Sequence, residues 1–198
     1  MPRIEAATVA EHREMRHRAV IDNAVQLYLD EGPQGVTPAA VAKRTGLARS
    51  SVYQYFATSG ALIGAAVEEL FSRYTAEVVE AVDSAGDDPG ERLAAYVRVS
   101  LASADRNHAA SGNLPDLPEH CRVGLAHMHE RLSAPLRDIM RDYEVEDVDQ
   151  TTALAMGAVQ GAVKLLDNGG DPATVTQTTI HFICRAVSCA PSASCCAS

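Results

Sequence analysis

The sequence predicts an all-α protein of about nine helices, and three observations carry that expectation. Apolar residues recur at i, i+3, i+4 and i+7 along most of the chain, the spacing of one buried helical face. Proline and glycine fall between these stretches, next to Thr and Asp residues suited to capping. No stretch shows the apolar–polar alternation of a strand.

In order along the chain, Ile21, Ala24, Val25 and Tyr28 mark the first helix, which stops at Gly32-Pro33. Glycine tolerates the left-handed C-cap and proline cannot continue the hydrogen-bond ladder. Thr37-Pro38 starts a second helix anchored by Val41, and Gly46 breaks it. A third runs from Arg49 to Phe56, with Val52 and Phe56 on one face. Leu62, Ile63, Ala66, Val67, Leu70, Phe71, Tyr74 and Val78 mark a fourth, ending in Ser84-Ala-Gly-Asp-Asp-Pro-Gly. Asp88-Pro89 opens a fifth, with Leu93, Tyr96, Val97 and Leu101.

Residues 106–118, with Asn, Gly and two Pro, read as a loop. Cys121, Leu125, Met128, Leu132, Leu136, Ile139 and Tyr143 then form a long stripe that Pro135 is expected to kink or divide. Asp149 is expected to cap a helix that reaches Asp167 and ends at Gly169-Gly170. Asp171-Pro172 starts the last helix, with Val175, Thr179, Phe182 and Ala186 on one side.

Charge is uneven along the chain. Residues 1–60 hold seven Lys/Arg against six Asp/Glu, whereas residues 61–198 hold ten against twenty, in a protein of net charge -9. From Gly32 to Val67 there is no Asp or Glu, while Lys43, Arg44 and Arg49 lie inside that window. A surface that docks on a phosphate backbone must lack carboxylates and attracts Lys and Arg. The division predicts a DNA-binding module over 1–60, an acidic helical domain over 61–188, and a small-residue tail without order over 189–198.

Two short helices joined through a central glycine are a helix-turn-helix, whose second helix enters the major groove. On a helical wheel, Ser50 and Gln54 lie opposite Val52 and Phe56, and Ser51 and Tyr53 flank them. Arg49 sits at the tip nearest the base edges; Arg bonds guanine bidentately and Gln does the same with adenine. Short Ser50 and Ser51 admit the backbone closely, and Tyr53, Tyr55 and Thr37 offer hydroxyls to phosphate oxygens. Lys43 adds a cation from the preceding helix.

The pattern Ile21-x-x-Ala24-x-x-Leu27-Tyr28-x-x-x-Gly32-x4-Thr37-x3-Val41-Ala42-x3-Gly46-Leu47-x4-Val52-Tyr53-x-Tyr55-Phe56-x5-Leu62 resembles the N-terminal domain of the TetR family of transcriptional repressors, over about residues 15–65. The rest resembles the family only in being all-helical and of suitable length. The resemblance implies a homodimer in which each N-terminal domain binds half an operator, and a C-terminal domain that dimerises and binds a small-molecule inducer. It puts DNA contacts on Thr37, Arg49, Ser50, Ser51, Tyr53, Gln54 and Tyr55. The chain departs from the pattern in three places. Ala48 stands where the family often has a capping Ser, Ser50 where Gly is common, and Ser59 where a Lys contacts phosphate. Ser59 retains a hydroxyl for that contact.

Groove geometry requires two recognition helices about 34–36 Å apart, hence a dimer. Leu154, Ala158, Val159, Gly161, Ala162, Leu165 and Leu166 give the penultimate helix a broad apolar face, and Phe182, Ile183, Ala186 and Val187 give the last helix another. Two such helices from each subunit make a four-helix bundle. Leu154, Ala158, Gly161, Ala162, Leu165, Phe182 and Ala186 are the expected interface. Residues 60–145 would enclose the ligand, with Tyr74, Tyr96, Cys121, Met128 and Tyr143 as candidate lining. The helix from Ser59 to Val82 would link ligand to groove spacing.

Other chemistry finds little support. His127 and His129 point to opposite sides of one helix, and His120 with His127 leaves only two ligands, so neither metal nor cofactor is expected. Five cysteines do not suggest a disulfide framework; Cys121 and Cys184 read as core thiols, and Cys189, Cys195 and Cys196 fall in the tail. There is no Gly-rich phosphate loop, nucleophile elbow or His-Glu-x-x-His pair, so no enzyme is expected. Residues 1–18 lack the apolar core of a signal peptide and no run reaches bilayer length, which predicts a cytoplasmic protein. The expected function is a ligand-responsive dimeric repressor on a palindromic operator. The alternatives are an activator with the same DNA module, or a helical ligand carrier or protein-interaction protein.

Overall fold

The computed structural model describes residues 6–106, 131 and 133–188. Among them are eight α-helices and no strand: α1 (Ala6–Glu31), α2 (Pro38–Thr45), α3 (Arg49–Tyr55), α4 (Ser59–Ser84), α5 (Pro89–Arg106), α6 (133–142), α7 (Val148–Asp167) and α8 (Pro172–Ser188). A short 3-10 turn, Pro33–Gly35, follows α1. The expected loop over 106–118, the cysteines and histidines between 120 and 129, and the tail at 189–198 fall outside the described residues, apart from Arg106 at the end of α5.

The described residues form two compact units, 6–72 in one and 73–106 with 131–188 in the other. The division falls inside α4, twelve residues beyond the expected boundary at 60/61. The reason is that Leu62, Ala66 and Val67 at the start of α4 are buried with the first unit, whereas Val78 and Val82 belong to the core of the second.

In the first unit α1 packs on the 3-10 turn and on α2, and α2 packs on α3. The inward face of α1 is Val20, Ala24, Val25, Leu27 and Tyr28, with Ile21 only half-buried. Gly32 stops α1 at φ 75°, a left-handed conformation that side chains resist. Its N–H donates to the Tyr28 carbonyl at 2.9 Å.

In the second unit α7 packs on α8, and α5 packs on both. Leu93, Val97 and Leu101 of α5, Leu136, Ile139 and Met140 of α6, and Ile180 and Ile183 of α8 fill the centre. Asp88 Oδ1 accepts from the Glu91 N–H at 2.9 Å and Asp171 Oδ2 from the Thr174 N–H at 2.8 Å, so both expected Asp-Pro starts are capped. The Thr174 hydroxyl, which donates to the same Oδ2 at 2.7 Å, and then the Thr174 N–H lower the Asp171 pKa.

Two expectations change. Asp147, not Asp149, caps α7: its Oδ1 accepts from the Gln150 N–H at 2.9 Å. Asp149 instead lies in the first turn and pairs with Arg137 Nε at 3.1 Å. Pro135, expected to kink or divide its helix, does not divide it, since residues 133–142 are helical on both sides of it; buried Leu136 and Ile139 anchor the stretch that follows.

Candidate nucleic-acid interface

The α2–turn–α3 geometry follows from local chemistry. Thr37 is extended and its Oγ1 accepts from the Ala40 N–H at 3.1 Å, satisfying one of the four orphan donors of α2. Pro38 occupies the first helical position, where its missing N–H costs nothing. At the other end Gly46 adopts φ 70°, and the N–H groups of Gly46 and Leu47 both reach the Ala42 carbonyl. That left-handed residue turns the chain into α3 within three residues. Ala48 is the N-cap of α3 and has no side chain to cap it, so the helix is held by its buried face instead. Val52 is fully buried and Phe56, at the C-cap, almost so.

The opposite face of α3 is open. Arg49, Ser50, Tyr53 and Gln54 are exposed, and Ser51 and Tyr55 are half-buried. Thr37, Lys43 and Ser59 are exposed on the neighbouring helix starts and on α2. The Arg49 guanidinium carbon lies 5.6 Å from the centre of the Tyr53 ring, and Arg49 Nη2 donates to the Tyr53 hydroxyl at 3.3 Å.

Three neighbours of this face were not evident from periodicity. Arg44 points back to α1 and pairs with Asp30 at 2.8 Å, which removes one cation of the basic window from the open face. His17 of α1 stacks on Phe56, with ring centres 5.4 Å apart and planes 14° apart, and meets Tyr55 at 5.6 Å. Thr58 caps α4 by accepting the Ala61 N–H at 3.0 Å, and Ser59 follows as the first helical residue. A Thr two residues after an aromatic helix end was the available signal for that cap.

In the second unit, of the expected ligand residues, Tyr96 is buried, and Tyr74 and Tyr143 are half-buried against the core. The Tyr74 hydroxyl donates to Ser100 Oγ at 2.9 Å. Burial raises the Tyr74 pKa, with the Ser100 bond opposing it, and raises that of Tyr96 further. Tyr143 meets Cys184 Sγ at 4.0 Å, and its hydroxyl is pushed up to about 12, by desolvation first and then by the thiol. Cys121 and Met128 lie outside the described residues. Two clefts in this unit have other linings. One of about 460 Å³ is bordered by Glu77, Glu80, Ala81, Arg98, Val99 and Ala102. A second of about 200 Å³ is bordered by Val79, Val82, Asp83, Arg92, Arg131, Ala134, Pro135 and Asp138. Among the described residues no three His, Cys, Asp or Glu side chains stand together as a metal site, and no helix is long and apolar enough to cross a membrane.

The expected interface residues divide. Leu154, Leu165 and Phe182 are 75%, 58% and 64% exposed, and Gly161 and Ala186 are open as well. A Cβ built on Gly161 would meet nothing within 4 Å. Ala158 is half-buried against the core. Ala162 is a correction: at 3% exposure it is turned into its own protomer, together with Thr152 and Ala155. The second unit therefore buries Ala155 and Ala162 of α7 and leaves Leu154 and Leu165 outside.

A capped helix, a glycine turn and a short helix with an open Arg, Ser, Tyr and Gln face define the helix-turn-helix class of DNA-binding proteins. Residues 20–66 match the family model described as bacterial regulatory proteins, tetR family. A curated relative, the HTH-type transcriptional regulator BetI of Rhizobium meliloti (strain 1021), is 29% identical over 87 residues. That alignment takes in 44% of this chain and 42% of the relative, so the chain matches less than half the length of that protein. Among solved structures, FadR from Bacillus subtilis in complex with stearoyl-CoA superimposes with TM-score 0.69 at 16% identity, over 84% of this chain and 96% of that one. The TetR family regulator PfmR from Thermus thermophilus gives TM-score 0.60 at 17% identity, over 84% and 97%. At such identities the structures establish the fold alone. The likeness to the tetR family of bacterial regulatory proteins is therefore carried by residues 20–66, the helix-turn-helix segment.

Proposed function

We propose that this chain is a cytoplasmic, ligand-responsive transcriptional repressor that binds a palindromic DNA operator as a homodimer and leaves it when a small molecule binds. The observation that carries the reading is the open face of α3. Arg49, Ser50, Tyr53 and Gln54 project from a segment that has no carboxylate between Gly32 and Val67. Arg49 and Gln54 suit base edges, whereas Thr37, Lys43, Ser51, Tyr55 and Ser59 suit phosphates. Residues 1–60 are the proposed DNA-binding domain and 61–188 the ligand-binding and dimerisation domain, with no metal or cofactor assigned.

Self-association is supported by the inverted burial of α7. A protomer that hides Ala155 and Ala162 while exposing Leu154 and Leu165 has an apolar stripe suited to a second copy. Phe182 of α8 is another large exposed apolar side chain of the same unit. Ligand response is supported by the stearoyl-CoA complex of a protein with this fold. A ligand shifts the equilibrium only through different affinities for the two arrangements of recognition helices. An activator would use the same DNA module, and reporter expression with the gene deleted separates the two signs. The experiment that tests the proposal is duplex binding against ionic strength: DNA binding weakens steeply with salt, and an apolar protein contact does not.

A further inference from the structure

We propose that Tyr53 is a positioning residue: its ring and hydroxyl hold the Arg49 guanidinium in the orientation that reads a base edge. The inference rests on the DNA-binding reading above and adds a role that the hydroxyl alone does not supply. Arg49 and Tyr53 are one helical turn apart on α3, so they are neighbours on its surface. The guanidinium carbon stands 5.6 Å from the ring centre, within cation–π range. Nη2 also donates to the phenol oxygen at 3.3 Å.

Two contacts on one neighbour restrict a side chain that otherwise samples many rotamers. None of the residues adjacent to Arg49 in sequence carries a carboxylate that could draw the charge away, because Gly32 to Val67 contains none. Arg44 shows the alternative fate, turned back onto Asp30 at 2.8 Å. A guanidinium has five N–H donors, so the bond to Tyr53 leaves a pair free for the bidentate contact that guanine requires. A stacked arginine arrives at the groove already ordered, and less rotamer freedom is lost on binding.

The test separates positioning from a plain phosphate contact by Tyr53. Wild-type protein first selects a duplex from a randomised double-stranded pool. That duplex and its single-base-pair variants are then measured with Tyr53→Phe, Tyr53→Leu, Arg49→Ala and the Tyr53→Leu/Arg49→Ala double variant, each checked for an unchanged melting transition. The expected result is that Arg49→Ala flattens preference at one base pair. Tyr53→Leu lowers preference at that same pair by about two- to fivefold, the scale of an exposed cation–π contact. Tyr53→Phe, which keeps the ring, retains most of the preference, and Tyr53→Leu does nothing further once Arg49 is gone. Independent effects of the two substitutions overturn the proposal. So does a Tyr53→Phe variant that loses affinity equally on every sequence, which marks a phosphate contact. A wild type that enriches no duplex overturns the DNA-binding reading itself. One that enriches a duplex while Tyr53→Leu keeps full selectivity overturns only the positioning role.

Discussion

Phe182→Ala offers a quantitative test of the proposed self-association. In the isolated protomer this ring is 64% exposed, so about two-thirds of its surface remains to be covered. Complete burial of a Phe side chain is worth about 1.5–3 kcal/mol, so covering that remainder is worth about 1–2 kcal/mol. A two-fold interface uses each residue twice. Losing both rings therefore costs about 2–4 kcal/mol per dimer, or roughly 30- to 700-fold in the dissociation constant. The folded protomer should hardly notice, because the removed atoms mostly face outward. Sedimentation velocity over a dilution series reads the dissociation constant, and far-ultraviolet circular dichroism checks the fold. A dimer whose dissociation constant moves less than twofold would show that α8 does not contribute Phe182 to the interface. A wild type that stays monomeric at every concentration would remove the interface altogether.

Other predictions concern stability. Gly46→Ala places a Cβ at φ 70° with nothing within 4 Å to clash, so only backbone strain counts. That strain is about 1–2 kcal/mol, partly offset by lower entropy of the unfolded chain, and should depress the melting midpoint by about 2–4 °C. An unchanged midpoint would refute the turn geometry. Val52→Ala removes two methyl groups at a fully buried site and should cost about 2 kcal/mol by denaturant titration, with DNA affinity falling in parallel. At high pH an unfolded tyrosine ionises near 10 whereas folded Tyr143 holds its proton to about 12. In that window the folded state binds more protons, so its contribution is full below pH 10 and lost as pH rises towards 12. Urea midpoints at about pH 9 and about pH 11 should therefore differ less in Tyr143→Phe than in wild type; equal differences would contradict the burial argument.

Much of the fold was legible because the signals that set it are local. The caps at Thr37, Asp88 and Asp171 and the left-handed Gly46 act on groups within a few residues, and each lies where the sequence placed it. The run Glu146-Asp147-Val148-Asp149 offers two aspartates of equal capping chemistry two positions apart, and the expectation fell on Asp149, the wrong one. The structure chooses Asp147, which places Thr152 and Ala155 inward. Helix α7 is apolar on two sides, so periodicity revealed a broad face without saying which stripe the protomer keeps. Ala162 fell on the inner one and Leu165 on the outer. Pairings across distant sequence were invisible for a different reason: Arg44 with Asp30, and His17 with Phe56, depend on how α1 packs, and no spacing rule encodes that. Tyr74, Tyr96 and Tyr143 are the expected ligand lining, whereas the clefts of about 460 and 200 Å³ are bordered by other residues, among them Glu77, Arg98 and Asp138.

The most direct measurement is fluorescence anisotropy of wild-type protein on the duplex it selects from a randomised pool, repeated across a salt series. Two protomers should bind each duplex, and log K should fall linearly with log salt, by about 0.9 for each phosphate neutralised. Failure to enrich any duplex in dilute salt, or an affinity indifferent to ionic strength, would contradict the assignment of α3 to the DNA groove.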